Sequence, residues 1–301
     1  MRLPPFRYEP IMTEIAVLTP DPSDPTYAGQ WPGVLERLSA ALALTGIEAV
    51  AAPWTDHVED AAGLAEYPLV LPLIVWGYHR DHGRWLKACA TWEAAGLPMM
   101  NPPAVLGWNS DKAYLGWLAE RGVAMPATAW VDGVAQADVD AAFDRFGVET
   151  LVVKPRVSGG AWKTLRIQRG EALVDAPEGP AMIQPYLPSI ESEGETSLLV
   201  FGGRLSHAVN KRPVAGEFRI QVQFGGRYSK VTDVPAGARA LMEQTLAAVD
   251  EDLLYASIDM ARAADGGWLL MEAELIEPDF YLGSAPDKGR AFAEAVRARL
   301  G

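Results

Sequence analysis

The chain has 301 residues, of which 49% are hydrophobic and 22% charged, values typical of a globular protein rather than a disordered or fibrous one. Its 26 basic and 39 acidic residues give a formal net charge of -13, which disfavours nonspecific nucleic-acid binding because such proteins present a basic surface. A local basic pocket can still bind a small anion. The length accommodates two or three packed units of roughly 100 to 150 residues each.

Cysteine usage and the N-terminus indicate a cytoplasmic protein. Cys89 is the only cysteine, so an internal disulfide is excluded, and its neighbours Leu86 and Ala88 favour a packed residue over a nucleophile. Residues 1–11 carry prolines and charges where a secretory signal needs an apolar run, and we interpret them as a loose extension or a misassigned start. No stretch reaches the roughly 20 apolar residues of a membrane span, so no membrane partner is expected.

The first hundred residues alternate strand-like and helix-like segments. Residues 14–19 predict a buried strand, and residues 34–46 have apolar side chains at helical spacing with a closing glycine suited to a C-cap. The other predicted elements here are strands at 48–54 and 68–78 and a helix at 83–96. This order predicts an α/β domain over residues 12–103.

From residue 104 onward the pattern changes. A helix is predicted at 109–121, with Asn109 or Ser110 as its N-cap. The predicted strands, separated by turn signals, lie at 150–155, 164–168, 181–187, 196–203, 205–213, 217–226, 254–263 and 266–275. The later predicted helices lie at 236–249 and 287–300. Mostly antiparallel strands are expected, so the fold class is α/β followed by α+β.

A lysine and a glycine pair mark the segment LVVKPRVSGG. Lys154 ends a predicted buried strand, an unusual place for an ammonium group, and Gly159 and Gly160 follow closely. Adjacent glycines let backbone N–H groups approach anionic oxygens, and a nearby lysine adds a positive charge. Because the GxxxxGK[ST] pattern of a P-loop is absent, this segment taken alone favours an ordinary hairpin turn over a phosphate-binding loop.

Three acids follow the apolar start of the last predicted strand, at Glu272, Glu274 and Glu277. Burying an unpaired carboxylate costs on the order of several kcal/mol, so a neutralising cation is expected. Glu272 and Glu274 share a strand face, and a hairpin turning at 264–267 brings Asp259 beside them. Carboxylates without histidine or thiolate predict a site of the kind Mg²⁺ prefers. The alternative is a solvated sheet face whose acids pair with arginine.

A basic segment adds Lys211, Arg212 and Arg219. Strand alternation places Arg219 on one face with Glu217 and Gln221. The arginine fork suits a carboxylate or a phosphate, so Arg219 is a candidate for steadying a transferring phosphoryl group. Each of these side chains alone could also be a surface charge.

In chain order, the motifs NSDKAYL, VVKPRVSGG, MIQPYLP, GEFR and the final ID and MEAE resemble the ATP-grasp superfamily of carboxylate-amine ligases over residues 109–280. Within it, NPPAVLGWNSDKAYL and LLMEAELIEP look most like the O-ureidoserine cyclo-ligase group of D-cycloserine biosynthesis, which is related to glutathione synthetase. The resemblance implies an ATP-grasp fold. The resemblance further implies that this chain has a pre-ATP-grasp domain at 12–103 and an ATP-grasp domain at 104–301, with a lid subdomain at about 124–183.

The resemblance also implies roles for single residues. The residues implied to contact the ATP phosphates are Lys112, Lys154, Gly159 and Gly160. Those implied to bind adenine are Gln184, Tyr186 and Leu187. Either Glu191 or Glu195 is implied to hold the ribose. Two Mg²⁺ ions, which Mn²⁺ can replace, are implied at Asp259, Glu272 and Glu274. Lys211 is implied to touch the γ-phosphate, and Arg219 to stabilise the acyl phosphate and the tetrahedral intermediate.

The implied reaction activates a small-molecule carboxylate as an acyl phosphate, which a nitrogen nucleophile displaces, releasing ADP and phosphate. The nitrogen comes from a second substrate or from the same one, which then closes a ring; homodimers are common among such ligases. Ser197 stands where glutathione synthetases and related ligases commonly carry arginine, and Ser257 replaces an arginine usual in the cyclo-ligase group. The second departure leaves the acceptor open. One alternative is a nucleotide-binding module without catalytic activity, which the retained lysines and acids disfavour. The other is a metal-binding protein without ATP, which does not need the hinge segment MIQPYLP.

Overall fold

The computed structural model describes residues 12–301. The expected loose extension at residues 1–11 lies outside the described residues. Three β-sheets, of three, four and five strands, form the framework. Within residues 12–301, every helix falls short of the length and apolarity needed to cross a membrane.

The first sheet is parallel, as the predicted α/β order requires. Its strands are β1 (Thr13–Thr19), β2 (Ile47–Pro53) and β3 (Val70–Leu71), in the order β2-β1-β3, and its helices are α1 (Trp31–Leu42) and α2 (His82–Ala94). Gly46 closes the first helical segment with φ 75°, confirming the predicted glycine C-cap. The strand predicted at 68–78 is wrong beyond Leu71, because Pro72 has no N–H for the ladder and a turn follows.

Two short helices, α3 (Pro103–Asn109) and α4 (Tyr114–Glu120), replace the single helix predicted at 109–121. Asn109 is the last residue of α3 and Ser110 is its C-cap, so the prediction that one of them caps a helix N-terminus is wrong. The physical reason is that the Asn109 side chain bonds to a strand instead, through Ala273 and Leu275.

The second sheet is antiparallel. Its strands are β4 (Ala129–Val131), β5 (Thr150–Pro155), β6 (Leu165–Gln168) and β7 (Ala181–Pro185), in the order β4-β7-β5-β6. Helix α5 (Gln136–Phe146), which the sequence analysis did not predict, buries Val139 and Phe143 against it. We call this unit the lid sheet. It lies within the expected lid subdomain except for the last two residues of β7, and the limits of that subdomain stay a prediction.

The third sheet is also antiparallel, with the order β10-β9-β8-β11-β12. Its strands are β8 (Glu195–Phe201), β9 (Arg204–Arg212), β10 (Arg227–Val231), β11 (Tyr255–Arg262) and β12 (Trp268–Glu274). The helices of this part are α6 (Ser189–Ser192), α7 (Ala236–Val249) and α8 (Arg290–Leu300).

The strand predicted at 217–226 is wrong. This segment is a loop with one 3₁₀ turn at Val222–Phe224. It folds back so tightly that a Cβ on Gly226 would lie 1.8 Å from the Ile220 carbonyl oxygen. An extended strand is incompatible with that approach, and the predicted strand face for Arg219 is therefore wrong as well.

A β-bulge explains how an apolar strand can also carry acids. Asp259 pairs with Glu272, whereas Met260 pairs with Leu270, so β12 has one extra residue at Met271. A bulge of this kind changes which side chains share a face. Leu270 and Ala273 consequently both join the core that packs on α4 and α7. Glu272 and Glu274 lie on the opposite face, which we call the acid face.

Candidate active site

The acid face holds a buried row of paired charges. Lys211 Nζ lies 2.7 Å from Glu195 Oε1 and 2.6 Å from Asp259 Oδ2, and all three side chains are at most 12% exposed. Ser257 Oγ donates to Asp259 Oδ1 at 2.8 Å. Although burial opposes it, attraction from Asp259 and Glu195 raises the pKa of Lys211 well above its usual value. Despite burial, the same ammonium lowers the pKa of Asp259.

A second lysine reaches the acid face from the turn before α4. Glu272 lies opposite Asp259 in the ladder, as the hairpin prediction expected, and accepts a 2.7 Å hydrogen bond from Lys112 Nζ. The Lys112 N–H donates to the Arg156 carbonyl oxygen at 3.0 Å. Arg156 in turn donates to both carboxylate oxygens of Asp111, at 2.8 and 2.5 Å. The motif NSDKAYL is thereby tied to the strand that carries the acids.

Negative charge at the end of β12 exceeds what the lysines neutralise. Glu274 lies opposite Ser257 and forms no ion pair with any residue in the range 12–301. Burial, followed by repulsion from Glu277 and Glu272, raises the pKa of Glu274 well above its usual value. Burial also raises the pKa of Glu277 to about 8, with Glu272 adding repulsion. A bound cation would relieve this excess.

The donor set on the acid face fits magnesium, which prefers carboxylate oxygens. Asp259 and Glu272 form ion pairs with lysines. Across residues 12–301, no three His, Cys, Asp or Glu side chains stand close enough together to hold a metal ion. Binding therefore requires these carboxylates to turn from the lysines toward the ion. Glu274, with its uncompensated charge, is the member of the set most in need of one. Ligation by the three acids stays a prediction.

Lys154 projects from the lid sheet, and within the described residues it has no ion-pair partner. Burial lowers the pKa of its ammonium, while Glu195 and Glu272 of the third sheet attract it and oppose that change. Lys154 thus points its charge toward the acid face, where it can contact an anion bound between the two sheets.

The glycine loop connects β5 to β6, which are antiparallel neighbours, so the hairpin interpretation describes its geometry correctly. Gly160 has φ 60°, and its carbonyl oxygen accepts a hydrogen bond from Gln223 at 3.3 Å. A Cβ on Gly159 would lie 3.1 Å from Nδ1 of His79, a residue between β3 and α2. Burial lowers the pKa of His79 to about 4, so its imidazole is neutral at pH 7. The loop is therefore bordered by two other parts of the chain.

The predicted adenine hinge covers the last two residues of β7 and the two residues after it. The Gln184 side chain is buried and donates to Thr128 Oγ1 at 3.0 Å, and the Tyr186 N–H donates to the Thr150 carbonyl oxygen at 3.0 Å. The Leu187 carbonyl accepts a hydrogen bond from Ile190 at 3.1 Å. The Tyr186 N–H is thus engaged within the lid sheet, and its ring remains the part that can line a pocket.

The two ribose candidates occupy different surroundings. Glu191 accepts hydrogen bonds from Tyr186 Oη at 2.5 Å and from Arg166 at 2.9 Å, and it is half exposed. Glu195 is buried against Lys211, and burial raises its pKa despite that lysine. The partnership of Glu191 is the easier one to rearrange, because its charges remain in contact with water.

Arg219 is not brought to the acid face. Its guanidinium binds the Glu217 carboxylate at 3.0 and 2.7 Å and stacks 3.7 Å from the Phe224 ring centroid. The bond from Arg219 lowers the pKa of Glu217 to about 2. Its predicted role at the reacting carboxylate therefore requires the loop that carries it to move.

Three residues of this site were missed in the sequence analysis. Asn109 and Tyr114 bond to β12, and Arg166 joins β6 to Glu191. Arg166 was detectable as a cation on a short predicted strand. Asn109 and Tyr114 give no local signal, because their partners lie more than a hundred positions away in the sequence.

The fold and the relatives identify an ATP-grasp ligase, an enzyme that forms carbon–nitrogen bonds. A solved ATP-grasp RimK domain protein from Sphaerobacter thermophilus DSM 20745 matches the fold with a TM-score of 0.66 at 17% identity, covering 93% of this chain and 98% of that one. Residues 15–101 match the family described as D-cycloserine synthetase DcsG, N-terminal domain. The chain belongs to the ATP-grasp superfamily of carboxylate-amine ligases, as its motifs predicted.

Among the proteins that this chain resembles are enzymes of cycloserine biosynthesis. The chain is 28% identical over 285 residues to cycloserine biosynthesis protein DcsG of Streptomyces lavendulae, covering 87% of this chain and 92% of that protein. The crystal structure of D-cycloserine synthetase DcsG superposes with a TM-score of 0.79 at 26% identity, covering 96% and 100% of the two chains. A glutathione synthetase of Prochlorococcus marinus (strain MIT 9313) is 30% identical over 217 residues, which are 69% of this chain and 66% of that protein.

Proposed function

We propose that this ligase activates a substrate carboxylate on the acid face as an acyl phosphate, which a nitrogen nucleophile then displaces to give an amide. One observation carries the proposal. Lys112 and Lys211 meet Asp259 and Glu272 on a single sheet face, and Lys154 faces them from the lid sheet. Cations and carboxylates arranged in this way suit a nucleotide triphosphate with its metal ions.

Nucleotide binding is assigned to the cleft between the lid sheet and the acid face. Lys112 and Lys154 bind phosphate oxygens, and the loop with Gly159 and Gly160 covers them with backbone N–H groups. The hinge from 184 to 187 holds adenine, with the Tyr186 and Leu187 side chains against its ring. For the ribose we choose Glu191, because separating Glu195 from Lys211 leaves a buried charge unpaired.

The metal ligands in this proposal are Asp259, Glu272 and Glu274, which hold two Mg²⁺ ions that Mn²⁺ can replace. When bound, the ions neutralise charge on the phosphates and orient the γ-phosphoryl group. If Asp259 ligated an ion, Lys211 would keep Glu195 as its one carboxylate partner, and its ammonium would be able to donate to the γ-phosphate. Lys112 is released from Glu272 in the same way.

Carboxylate activation then depends on charge stabilisation and exclusion of water. The substrate carboxylate attacks the γ-phosphorus, ADP leaves, and an acyl phosphate forms. Arg219 stabilises this species and the tetrahedral intermediate after its loop closes on the acid face. The glycine loop excludes water until the nitrogen has attacked, since an acyl phosphate hydrolyses readily.

Ring closure within one substrate is the form of the reaction that we favour over condensation of two substrates. The similarity to a protein named D-cycloserine synthetase, over 96% of this chain, supports it. Ser257, whose hydroxyl bonds to Asp259, replaces an arginine usual in the cyclo-ligase group, so the identity of the nitrogen nucleophile is left to the experiment.

The test is ADP and phosphate release from Mg·ATP with a panel of substrates. One arm offers single molecules that contain both a carboxylate and a terminal nitrogen, including O-ureidoserine, and the other offers amino acids paired with separate amines. ADP formation with one bifunctional substrate and a cyclic product by mass spectrometry support the proposal. ADP formation only with two substrates contradicts ring closure, and nucleotide binding without turnover of any substrate contradicts catalysis.

A further inference from the structure

Strand β12 is the outermost strand of its sheet, so one side of its backbone has no neighbouring strand. An edge of this kind exposes N–H and C=O groups that must find other partners when buried. The acids Glu272 and Glu274 lie on this strand, on either side of Ala273. Whatever fixes the open edge at Ala273 also fixes the two carboxylates.

Two buried side chains from the region before and within α4 complete that edge. Tyr114 Oη accepts a hydrogen bond from the Ala273 N–H at 2.9 Å and donates to the Ala273 carbonyl oxygen at 3.0 Å. Asn109 Nδ2 donates to the same carbonyl at 2.8 Å, and its Oδ1 accepts from the Leu275 N–H at 2.9 Å. Asn109 is 8% exposed and Tyr114 6% exposed, so water does not replace these bonds.

The arrangement does more than satisfy the backbone. Lys112, which binds Glu272, lies between Asn109 and Tyr114 in sequence, so one short segment holds both the edge of β12 and one of its acids. The bulge at Met271 removes the regular ladder on the inner side at this point. Side-chain bonds on the outer side therefore determine the local direction of β12 to an unusual degree.

We propose that Tyr114 and Asn109 are positioning residues for the metal ligands Glu272 and Glu274, acting through the Ala273 peptide groups. The inference rests on the proposed function, since it takes the two acids as metal ligands. Residues that hold ligands in place typically change metal affinity by about 10–100-fold when altered. Tyr114→Phe keeps the ring and removes both bonds to Ala273.

The experiment measures Mn²⁺ binding by electron paramagnetic resonance in the presence of ADP, with thermal unfolding of each variant alongside. Tyr114→Phe should weaken Mn²⁺ binding about tenfold or more. Tyr255→Phe is the matched control, because its buried hydroxyl donates to the Ile276 carbonyl oxygen at 2.8 Å, outside β12. It should lower the unfolding temperature similarly yet change Mn²⁺ affinity by less than about twofold.

Equal Mn²⁺ affinity in Tyr114→Phe and the unaltered chain overturns the positioning role and leaves the metal site standing. A loss shared equally by Tyr255→Phe overturns it too, since the effect is then general destabilisation. Absence of Mn²⁺ binding in the unaltered chain overturns the metal assignment and this inference together. If Tyr114→Phe does not fold, Asn109→Ser is measured in its place, with the same outcomes deciding.

Discussion

Two lysines on two sheets differ in how their charge is satisfied. Lys211 on the third sheet is buried between Glu195 and Asp259, and this attraction raises its pKa against the effect of burial. Lys154 on the lid sheet has no ion pair in the described part of the chain, and burial lowers its pKa. Removing one member of a buried ion pair destabilises a fold because the other charge is left uncompensated, whereas an unpaired charge held away from water already costs stability.

The difference shows what each region of the site lacks before a nucleotide binds. The acid face pairs Glu195, Asp259 and Glu272 with Lys211 and Lys112, while Glu274 has no ion pair within residues 12–301; the edge strand is held by buried side chains. The lid sheet contributes the ammonium of Lys154, which can pair with a bound anion. Perturbed, unpaired ionisable groups are characteristic of functional sites. Altering each region should therefore affect different properties.

The largest effect is expected for Glu272→Gln. Loss of one carboxylate from the metal ligands should reduce ADP production by at least about a hundredfold, because electrostatic stabilisation of the transferring group is worth several kcal/mol. The fold should remain intact by circular dichroism. Glu251→Gln, an exposed acid, serves as the control and should keep full activity. Normal turnover of Glu272→Gln refutes the metal assignment.

Lys211→Met should destabilise the chain by about 3–5 kcal/mol, because it leaves Glu195 and Asp259 buried together without their cation. Urea unfolding measures this change. Lys230→Met, an exposed lysine on the neighbouring strand β10, is the control and should change stability by less than about 0.5 kcal/mol. Similar stabilities for the two variants would contradict the view that Lys211 is needed to compensate the buried Glu195 and Asp259.

Lys154→Met should show the opposite pattern. ATP binding measured by calorimetry should weaken by about 1.5–3 kcal/mol, as loss of a charge-assisted hydrogen bond allows. Unfolding stability should stay the same or rise, because an unpaired, half-buried ammonium is removed. Lys163→Met, three residues beyond the glycine pair, tests whether any positive charge near the loop suffices. Unchanged ATP affinity in Lys154→Met means that the lysine is wrongly assigned.

The smallest effect concerns His79. Its native pKa of about 4 lies below the usual 6.5, so the unfolded chain binds more protons between these values. Stability from this group is complete above pH 6.5 and falls with decreasing pH, by about 1–2 kcal/mol between pH 7 and 5. His79→Gln should remove that part of the pH dependence, whereas His57→Gln should retain it. An identical pH profile for His79→Gln and the unaltered chain contradicts burial of a neutral imidazole.

Much of the fold follows from local patterns. Helix α7 and strand β5 match their predicted limits, since apolar periodicity and flanking turn residues are sufficient to define them. The pairing of Asp259 with Glu272 followed from hairpin length. Alternation failed at 217–226, where a glycine-rich turn overrides strand propensity.

The rest depends on contacts between distant segments. The bulge at Met271 decides which face carries the acids, and nothing in LLMEAEL marks its position. Asn109 has the sequence features of a helix cap but serves β12. The lysine partners of the acids also come from other elements, so arginine was the wrong residue type to expect in the alternative interpretation.

The most direct measurement is a crystal structure with Mn²⁺ and a nonhydrolysable ATP analogue. We predict anomalous peaks at about 2.0–2.2 Å from carboxylate oxygens of Asp259, Glu272 and Glu274, with Lys154 and Lys112 on the phosphates. Metal ions bound elsewhere, with the pairs of Lys211 and Lys112 intact and Glu274 directed away from the nucleotide, would contradict the acid face as the catalytic centre.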